Sequence, residues 1–285
     1  MMTATIIGAG SVGITLAKKL GKVSDFELVY HSDKSMQHAL DQGVKKDKLS
    51  DWNNAKFDNK FIILCVKDND IDKVVSQIIK HKSKELSVKI VFHTSGTRGK
   101  SSLSKLEICG CKIAAVHPFQ TFYYSDLDVL DGIAWGVDSD DEIYANINEL
   151  ITLLGGKAVK LSEKAISKKA LYHISAVAAS NFMALSIDLA KEIAEDSGID
   201  AKEFLPQILE TTLKNNIKQL GDETPAITGP VVRGEVDTIA THIIALGDSI
   251  NGVIYKNMCE SLALMAFDKG LLSGEKFEQL MEILD

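Results

Sequence analysis

The chain is poor in cysteine, and its four thiols, Cys65, Cys109, Cys111 and Cys259, build no disulfide framework. Cys65 falls inside an apolar run and reads as a small hydrophobe. Cys109-Gly110-Cys111 has the spacing of half a metal site, but no second ligand pair accompanies it, so structural thiols and no metal are expected. No run approaches the roughly 18 consecutive apolar residues of a membrane span. There is no internal repeat and no low-complexity tract. Positive charge is scarce: 32 Lys and Arg against 39 Asp and Glu leave a net charge of −7, which argues against a nucleic-acid partner. The basic stretch Lys45-Lys46-Asp47-Lys48 is broken by an acid and reads as a solvated loop. A P-loop is excluded too, because Gly99-Lys100-Ser101 is preceded by Thr94 where that motif needs glycine. The chain opens directly on a strand, so no signal peptide is expected, and with the free thiols this points to a reducing, cytoplasmic compartment. What remains is an ordinary globular composition, 45% hydrophobic and 25% charged, with length for one large domain or two.

The richest stretch is Thr3 to Gly13. A β-branched strand runs into Gly8-x-Gly10-x-x-Gly13 and then into a helical pattern from Ile14 to Leu20. Gly8 permits a tight turn, Gly10 lets a pyrophosphate approach the backbone, and Gly13 lets the helix pack closely on the strand. The helix start, with Ser11 and Val12, offers free N–H groups and a positive dipole end to phosphate. A dinucleotide is the expected ligand. An NAD site usually places Asp or Glu at the end of the second strand, whereas Tyr30-His31-Ser32 stands there, followed by Asp33 and Lys34. His31, Ser32 and Lys34 suit a 2′-phosphate, so NADP is favoured; the NAD alternative has Asp33 swing in while Lys34 stays in solvent.

The first half alternates strands with helices. Strands are predicted at Phe26–Tyr30, Phe61–Val66, Val88–His93, Lys112–His117, Ile133–Val137 and Ala158–Leu161, with helices such as Asp70–His81 and Asp141–Leu154 between them. This is an α/β, doubly wound parallel Rossmann pattern with right-handed crossovers. From Ser162 onward everything reads as helix, which predicts a Rossmann domain over 1–161 and an all-α domain over 162–285. The helix after the boundary carries Leu171, Ile174, Ala178, Phe182, Leu185 and Leu189 at steps of three and four, a core-facing stripe. Its small residues Ser175, Ala176, Ala178, Ala179 and Ser180 permit close helix approach, so a homodimer through this helix is expected.

In open α/β sheets ligands bind at the carboxyl ends of the strands. Val66 and Lys67 at the end of the third predicted strand, and His93 and Ser95 at the end of the fourth, are the further expected cofactor contacts; His117 and Gln120 end the fifth. A histidine there can move a proton near neutral pH, as carbonyl or imine reduction requires, or simply cap backbone carbonyls. At about 100° per residue, Lys169, His173 and Ser180 fall within roughly 40° of one another, with Asn181 further round. That polar stripe makes either the wall of a polar pocket or an exposed lysine beside a core histidine. Arg233, framed by Gly229-Pro230 and Gly234, is either a bidentate clamp for a substrate carboxylate or a surface ion pair with Glu235 or Asp237. His242 follows on the next helix and faces either the cleft or the core.

Taken together, Gly8-x-Gly10-x-x-Gly13, His93-Thr-Ser95-Gly96, Ala115-Val-His117-Pro118-x-Gln120-Thr-Phe122, Ala170-Leu-Tyr172-His173 with Ser180-Asn181, and Gly229-Pro230-Val-Val-Arg233-Gly234-Glu235 with Thr238 and His242 resemble one family. It is the family of NADP oxidoreductases in which a Rossmann-like domain precedes a small helical domain, DUF2520. The resemblance covers nearly the whole chain. More distantly the layout is similar to prephenate dehydrogenase, pyrroline-5-carboxylate reductase, ketopantoate reductase and 3-hydroxyisobutyrate dehydrogenase, which implies a substrate cleft between the domains and a helical dimer. Hydroxyisobutyrate-type enzymes use a lysine with an asparagine four residues on; here Lys168 and Lys169 are followed by Tyr172 and His173, so that pair is absent.

The expectation is an NAD(P)-dependent oxidoreductase that moves a hydride to or from a C=O or C=N carbon of a small, carboxylate-bearing substrate. His117, His173 and Lys169 are its catalytic candidates. Ser95, Gln120, Asn181 and Arg233 are its substrate contacts. A dinucleotide-binding regulatory or sensor protein without turnover is the alternative.

Overall fold

The computed structural model describes residues 2–82, 86–123 and 126–285. Eight strands form one sheet in the order β3-β2-β1-β4-β5-β6-β7-β8. They are β1 (Thr3–Ile7), β2 (Asp25–Val29), β3 (Leu49–Ser50), β4 (Phe61–Leu64), β5 (Ile90–His93), β6 (Lys112–Pro118), β7 (Ala134–Ser139) and β8 (Lys157–Lys160). Strands β1 to β6 are mutually parallel, as their apolar runs predict. The departure from an all-parallel sheet is β7, which pairs antiparallel with β6 and carries β8 parallel to itself. An antiparallel neighbour needs no crossover helix. Among the described residues, the segment between β6 and β7 holds only the short turn Asp128–Leu130.

Helices α1 (Ser11–Val23) and α5 (Asp141–Leu153) cover one face of the sheet; α3 (Ile71–Lys82) and α4 (Ser104–Ile108) cover the other. Alternation along the strands feeds both cores: Ile63 packs with Ile14, Leu16 and Leu20 of α1, while its neighbours Ile62 and Leu64 pack with Ile71, Val75 and Ile78 of α3. A short helix α2 (Asp33–Asp41) follows β2, and Ser32 caps it, its Oγ accepting from the Ser35 N–H. The chain reverses its winding between β1 and β4, and this switch opens the carboxyl edge of the sheet to a ligand.

Strands cease at Lys160, where the sequence ends them. The compact units divide later, into Met1–Ser180 and Asn181–Asp285, because α6 (Glu163–Ser167) and α7 (Lys169–Val177) belong with the sheet. Lys169 is buried there, and Tyr172 and His173 pack their rings against His117 of β6. The helix read as continuous from Ser162 to Ser197 is broken at Lys168 and carries a π-helical turn at Ala178–Phe182 before α8 (Met183–Asp196).

The second unit continues with α9 (Ala201–Lys218), α10 (Pro230–Arg233), α11 (Val236–Leu246), α12 (Ile250–Asp268) and α13 (Gly274–Leu284). Its core is Val231, Ile239, Cys259, Ala263, Ala266 and Leu280, contributed by α10 to α13. The expected core stripe is not buried within the chain: Leu171, Ile174, Phe182 and Leu185 are exposed, and of the six only Leu189 is buried.

Candidate active site

The opening glycines divide into two kinds. A Cβ on Gly8 would lie 2.3 Å from the Cys65 carbonyl oxygen, and its φ of 115° is itself a glycine conformation. A Cβ on Gly13 would lie 1.9 Å from the Gly8 carbonyl oxygen, so this glycine is required for helix-on-strand contact. Gly10 is different, since a Cβ there would meet nothing within 4 Å. The chain's own packing leaves that space open at the start of α1, whose first turn carries no acidic residue. Ser11 and Val12 remain partly accessible, Val66 lines the turn beside Gly8, and Lys67 is exposed next to it. The arrangement fits a pyrophosphate held by backbone N–H groups.

At the end of β2 the side chains of His31, Ser32 and Lys34 are all exposed. The one carboxylate within that strand's carboxyl half, Glu27, is committed elsewhere: it accepts from Ser50 Oγ at 2.7 Å and from the Lys56 N–H. The strand end and the first turn of α2 therefore offer hydroxyl, imidazole and ammonium groups, a set suited to phosphate, with the exposed carboxylate of Asp33 beside them.

After β5 the chain forms a loop held by buried polar groups. His93 is fully buried; the Ser95 N–H donates to its Nδ1 at 3.2 Å, so Nε2 carries the proton and donates to the Gly99 carbonyl at 3.1 Å. Burial holds this imidazole below its ordinary pKa and hence neutral. Expected as a cofactor contact, His93 instead spends both ring nitrogens on the loop. Ser95 is similar: its Oγ donates to Asp68 at 2.8 Å and accepts from the Thr97 and Arg98 N–H groups. Asp68 also accepts from Thr97 Oγ1 at 2.6 Å. Buried Asp138 of β7 accepts from the Lys100 N–H at 3.0 Å, closing the far end of the loop.

Gly96, in the middle of this loop, explains how two histidines converge. A Cβ placed on it would lie 2.5 Å from His173 Nδ1 and 2.8 Å from His117 Nε2. The His117 ring sits 5.8 Å from His173, 5.7 Å from Tyr172 and 5.5 Å from Phe119, centroid to centroid. Lys169 is 4% exposed, and its ammonium lies 5.6 Å from the Tyr172 ring centroid. Four buried polar atoms of this cluster, His117 Nδ1, Lys169 Nζ, Tyr172 OH and His173 Nδ1, have no hydrogen-bond partner among the described residues. Such groups are expensive to bury unmatched. Burial, reinforced by the positive potential of His173 and Lys169, pushes His117 down to about 4, so it is neutral at pH 7. Burial also lowers Lys169, against an opposing pull from Asp138, and raises Tyr172 to about 12.

The expected alignment of Lys169 with His173 therefore holds on one unbroken helix, whereas the π-helical turn shifts the phase of Ser180 and Asn181; Asn181 is exposed and opens the second unit. Gln120 is exposed and engaged locally, accepting from the Thr121 N–H at 2.8 Å and donating to the Val129 carbonyl at 3.4 Å. Arg233 forms the ion pair that competed with the clamp reading: Nε donates to Glu235 at 2.6 Å and Nη1 to Thr228 at 3.2 Å. His242 faces its own unit, Nδ1 lying 2.6 Å from the Tyr255 hydroxyl. Sequence reasoning passed over Tyr172, Asp68, Asp138 and Phe119. They come from β7, α7 and the ends of β4 and β6, so tertiary packing and no local pattern assembles them.

Residues 1–118 match the model of a Rossmann-like domain, and residues 133–262 match a domain of unknown function, DUF2520. A comparison with curated proteins gives no match. Among solved structures, this chain is similar to a candidate NADP oxidoreductase from Bacteroides fragilis, at 20% identity over 91% of this chain and 97% of that one, with a TM-score of 0.73. A Thermotoga maritima protein is 21% identical over 93% and 99%, with a TM-score of 0.61. A reductive aminase from Aspergillus terreus, solved with NADPH and ethyl-5-oxohexanoate, is 14% identical over 100% and 92%, with a TM-score of 0.60. At these identities the likeness speaks for the fold. The DUF2520 match begins at Ile133, so its span takes in β7, β8 and the Lys169–His173 turn of α7.

Proposed function

We propose that this protein is an NADP-dependent oxidoreductase acting on a C=O or C=N carbon of a small substrate. The observation that carries the reading is the set of four unmatched polar atoms in the His117–Lys169–Tyr172–His173 cluster, whose two imidazoles meet at Gly96 on the same sheet edge as a glycine turn with open space at Gly10. The fold shared with an NADPH-bound reductive aminase supports the reading.

Gly10 and the first turn of α1 would hold the pyrophosphate, and Ser32 and Lys34, with His31, the 2′-phosphate. The bound nicotinamide supplies or accepts the hydride. The chain's own part is positional and protic. His117 exchanges a proton with the substrate heteroatom: the neutral imidazole accepts it in oxidation, and in reduction the imidazolium gives it back. His173, which meets His117 at Gly96, orients the same heteroatom. Tyr172 and Phe119 pack on the His117 ring and keep water from it, while the His93–Ser95–Asp68 loop fixes Gly96.

A homodimer is part of this proposal. Leu171 and Ile174 before the π-helical turn, and Phe182 and Leu185 at and after it, are large apolar residues that the chain leaves exposed, and a second copy would cover them.

Fluorescence titration with NADPH and NADH, followed by turnover on a panel of keto acids and cyclic imines, tests the redox reading. His117→Ala should bind NADPH as the wild type does and lose turnover. Saturable NADPH binding without oxidation of the coenzyme on any substrate would leave a dinucleotide sensor in its place.

A further inference from the structure

The orphaned atoms of the cluster that packs about His117 share a chemical character. The Lys169 ammonium and the Tyr172 hydroxyl are donors, and each imidazole Nδ1 becomes one in the matching tautomer. The neighbouring carboxylates already accept hydrogen bonds: Asp68 from Ser95 and Thr97, Asp138 from the Lys100 N–H. No carboxylate lies within ion-pair distance of Lys169 among the described residues. A buried ammonium without an anion is a costly arrangement, and bringing in one carboxylate offsets that cost. Arg233, the other cation considered for a substrate acid group, is already paired with Glu235.

We propose that Lys169, assisted by the Tyr172 hydroxyl, anchors a carboxylate on the substrate, so that the site selects small organic acids over neutral carbonyl compounds. This rests on the reading of the Gly96 cluster as the reaction site. It gives Lys169 a binding role and leaves the proton to His117. A planar carboxylate can take two donors at once, one from the ammonium and one from the phenol, and Tyr172 follows Lys169 by three residues, on the same helix face.

The groups surrounding Lys169 define how this depends on pH. His93 from β5, His117 from β6, Asp138 from β7 and Asp68 from the loop after β4 stand on the sheet side; Tyr172 and His173 stand on its own helix. His93 and His117 are held neutral by burial, and Tyr172 stays protonated to about 12. Between neutrality and alkaline pH the charge that changes on the donor side is that of Lys169, whose affinity for its proton burial reduces. Acid binding should therefore be strongest where Lys169 is an ammonium and weaken as pH rises.

Calorimetry on the full chain, with and without NADPH, tests this with 2-oxobutanoate and its neutral analogue butanone. The expected result is a wild type that prefers the acid by at least roughly tenfold, the worth of one charge-assisted hydrogen bond. The preference should decline from about pH 6 to about pH 10 and vanish in Lys169→Met. A wild type without acid preference, a preference that does not fall with pH, or a Lys169→Met that keeps it would each overturn the proposal. If Lys169→Met does not melt cooperatively, the wild-type pH series decides. Failure of the redox reading is distinct: acid preference with no NADPH binding removes the coenzyme and keeps the anchor, while NADPH binding without acid preference does the reverse.

Discussion

Gly10 and Gly96 stand on the same edge of one sheet and lack a side chain for opposite reasons. At Gly10 a Cβ would meet nothing, whereas at Gly96 it would strike two imidazoles. The first place is shaped for a ligand held by backbone; the second is where side chains from β6 and α7 meet. The difference separates two kinds of recognition within the first unit. Phosphate is gripped by groups every residue has, so the sequence must only avoid obstruction. Chemistry needs particular side chains at one point, so the sequence must bring distant residues together and clear the room between them.

Substitutions sharpen that contrast, beginning with the largest effect. Gly13→Ala forces a Cβ against the Gly8 carbonyl oxygen, and backbone cannot yield as a side chain can. It should cost about 3 kcal/mol of stability, readable as an early denaturant midpoint; a variant as stable as the wild type would refute the close approach of α1 and β1. Gly96→Ala should leave cofactor affinity near normal while turnover falls on the order of a hundredfold, the scale of a misplaced general acid–base. Equal turnover in the two proteins would mean that the histidines do not act together.

Acid titration probes the same cluster through stability. His117 has a folded pKa of about 4, below its unfolded value, so the unfolded chain binds more protons between about 6.5 and about 4. The folded state should lose stability as pH falls through that window, and His117→Asn should flatten the loss. An unchanged slope in the variant would show that His117 is not buried neutral. Lys34→Ala should weaken NADPH by about tenfold with little change for NADH, because Lys34 would touch only the 2′-phosphate. A parallel loss for both coenzymes would place Lys34 elsewhere. Phe182→Glu, at one of the exposed apolar residues, should turn a dimer into a monomer in sedimentation equilibrium; a monomeric wild type would remove the second copy altogether.

The parallel strands β1 to β6 were legible because each is short, apolar and bounded, save β3, which at Leu49–Ser50 has no pattern to read. The reversal of β7 was not, because Ala134–Ser139 reads alike in either direction; only the missing crossover helix before it betrays the turn. The glycine turn was fully legible, since its spacing is local. The Lys169–His173 alignment was legible from helix geometry, but its extension to Ser180 failed where the π-helical turn intervenes. His93 was chosen for its place at a strand end, and burial with two backbone partners gave it a structural task that sequence position does not reveal. Asp138 and Tyr172 lie on β7 and α7, far along the chain from Gly96, so tertiary packing alone brings them to the site.

The account stands most directly on Gly10→Ala, measured for thermal stability and NADPH affinity in the same preparation. The open space predicts an unchanged melting temperature and NADPH binding weakened by at least about tenfold, because a methyl group would occupy the room meant for the pyrophosphate. Unchanged melting with unchanged NADPH binding, or a wild type that NADPH never saturates, would contradict it.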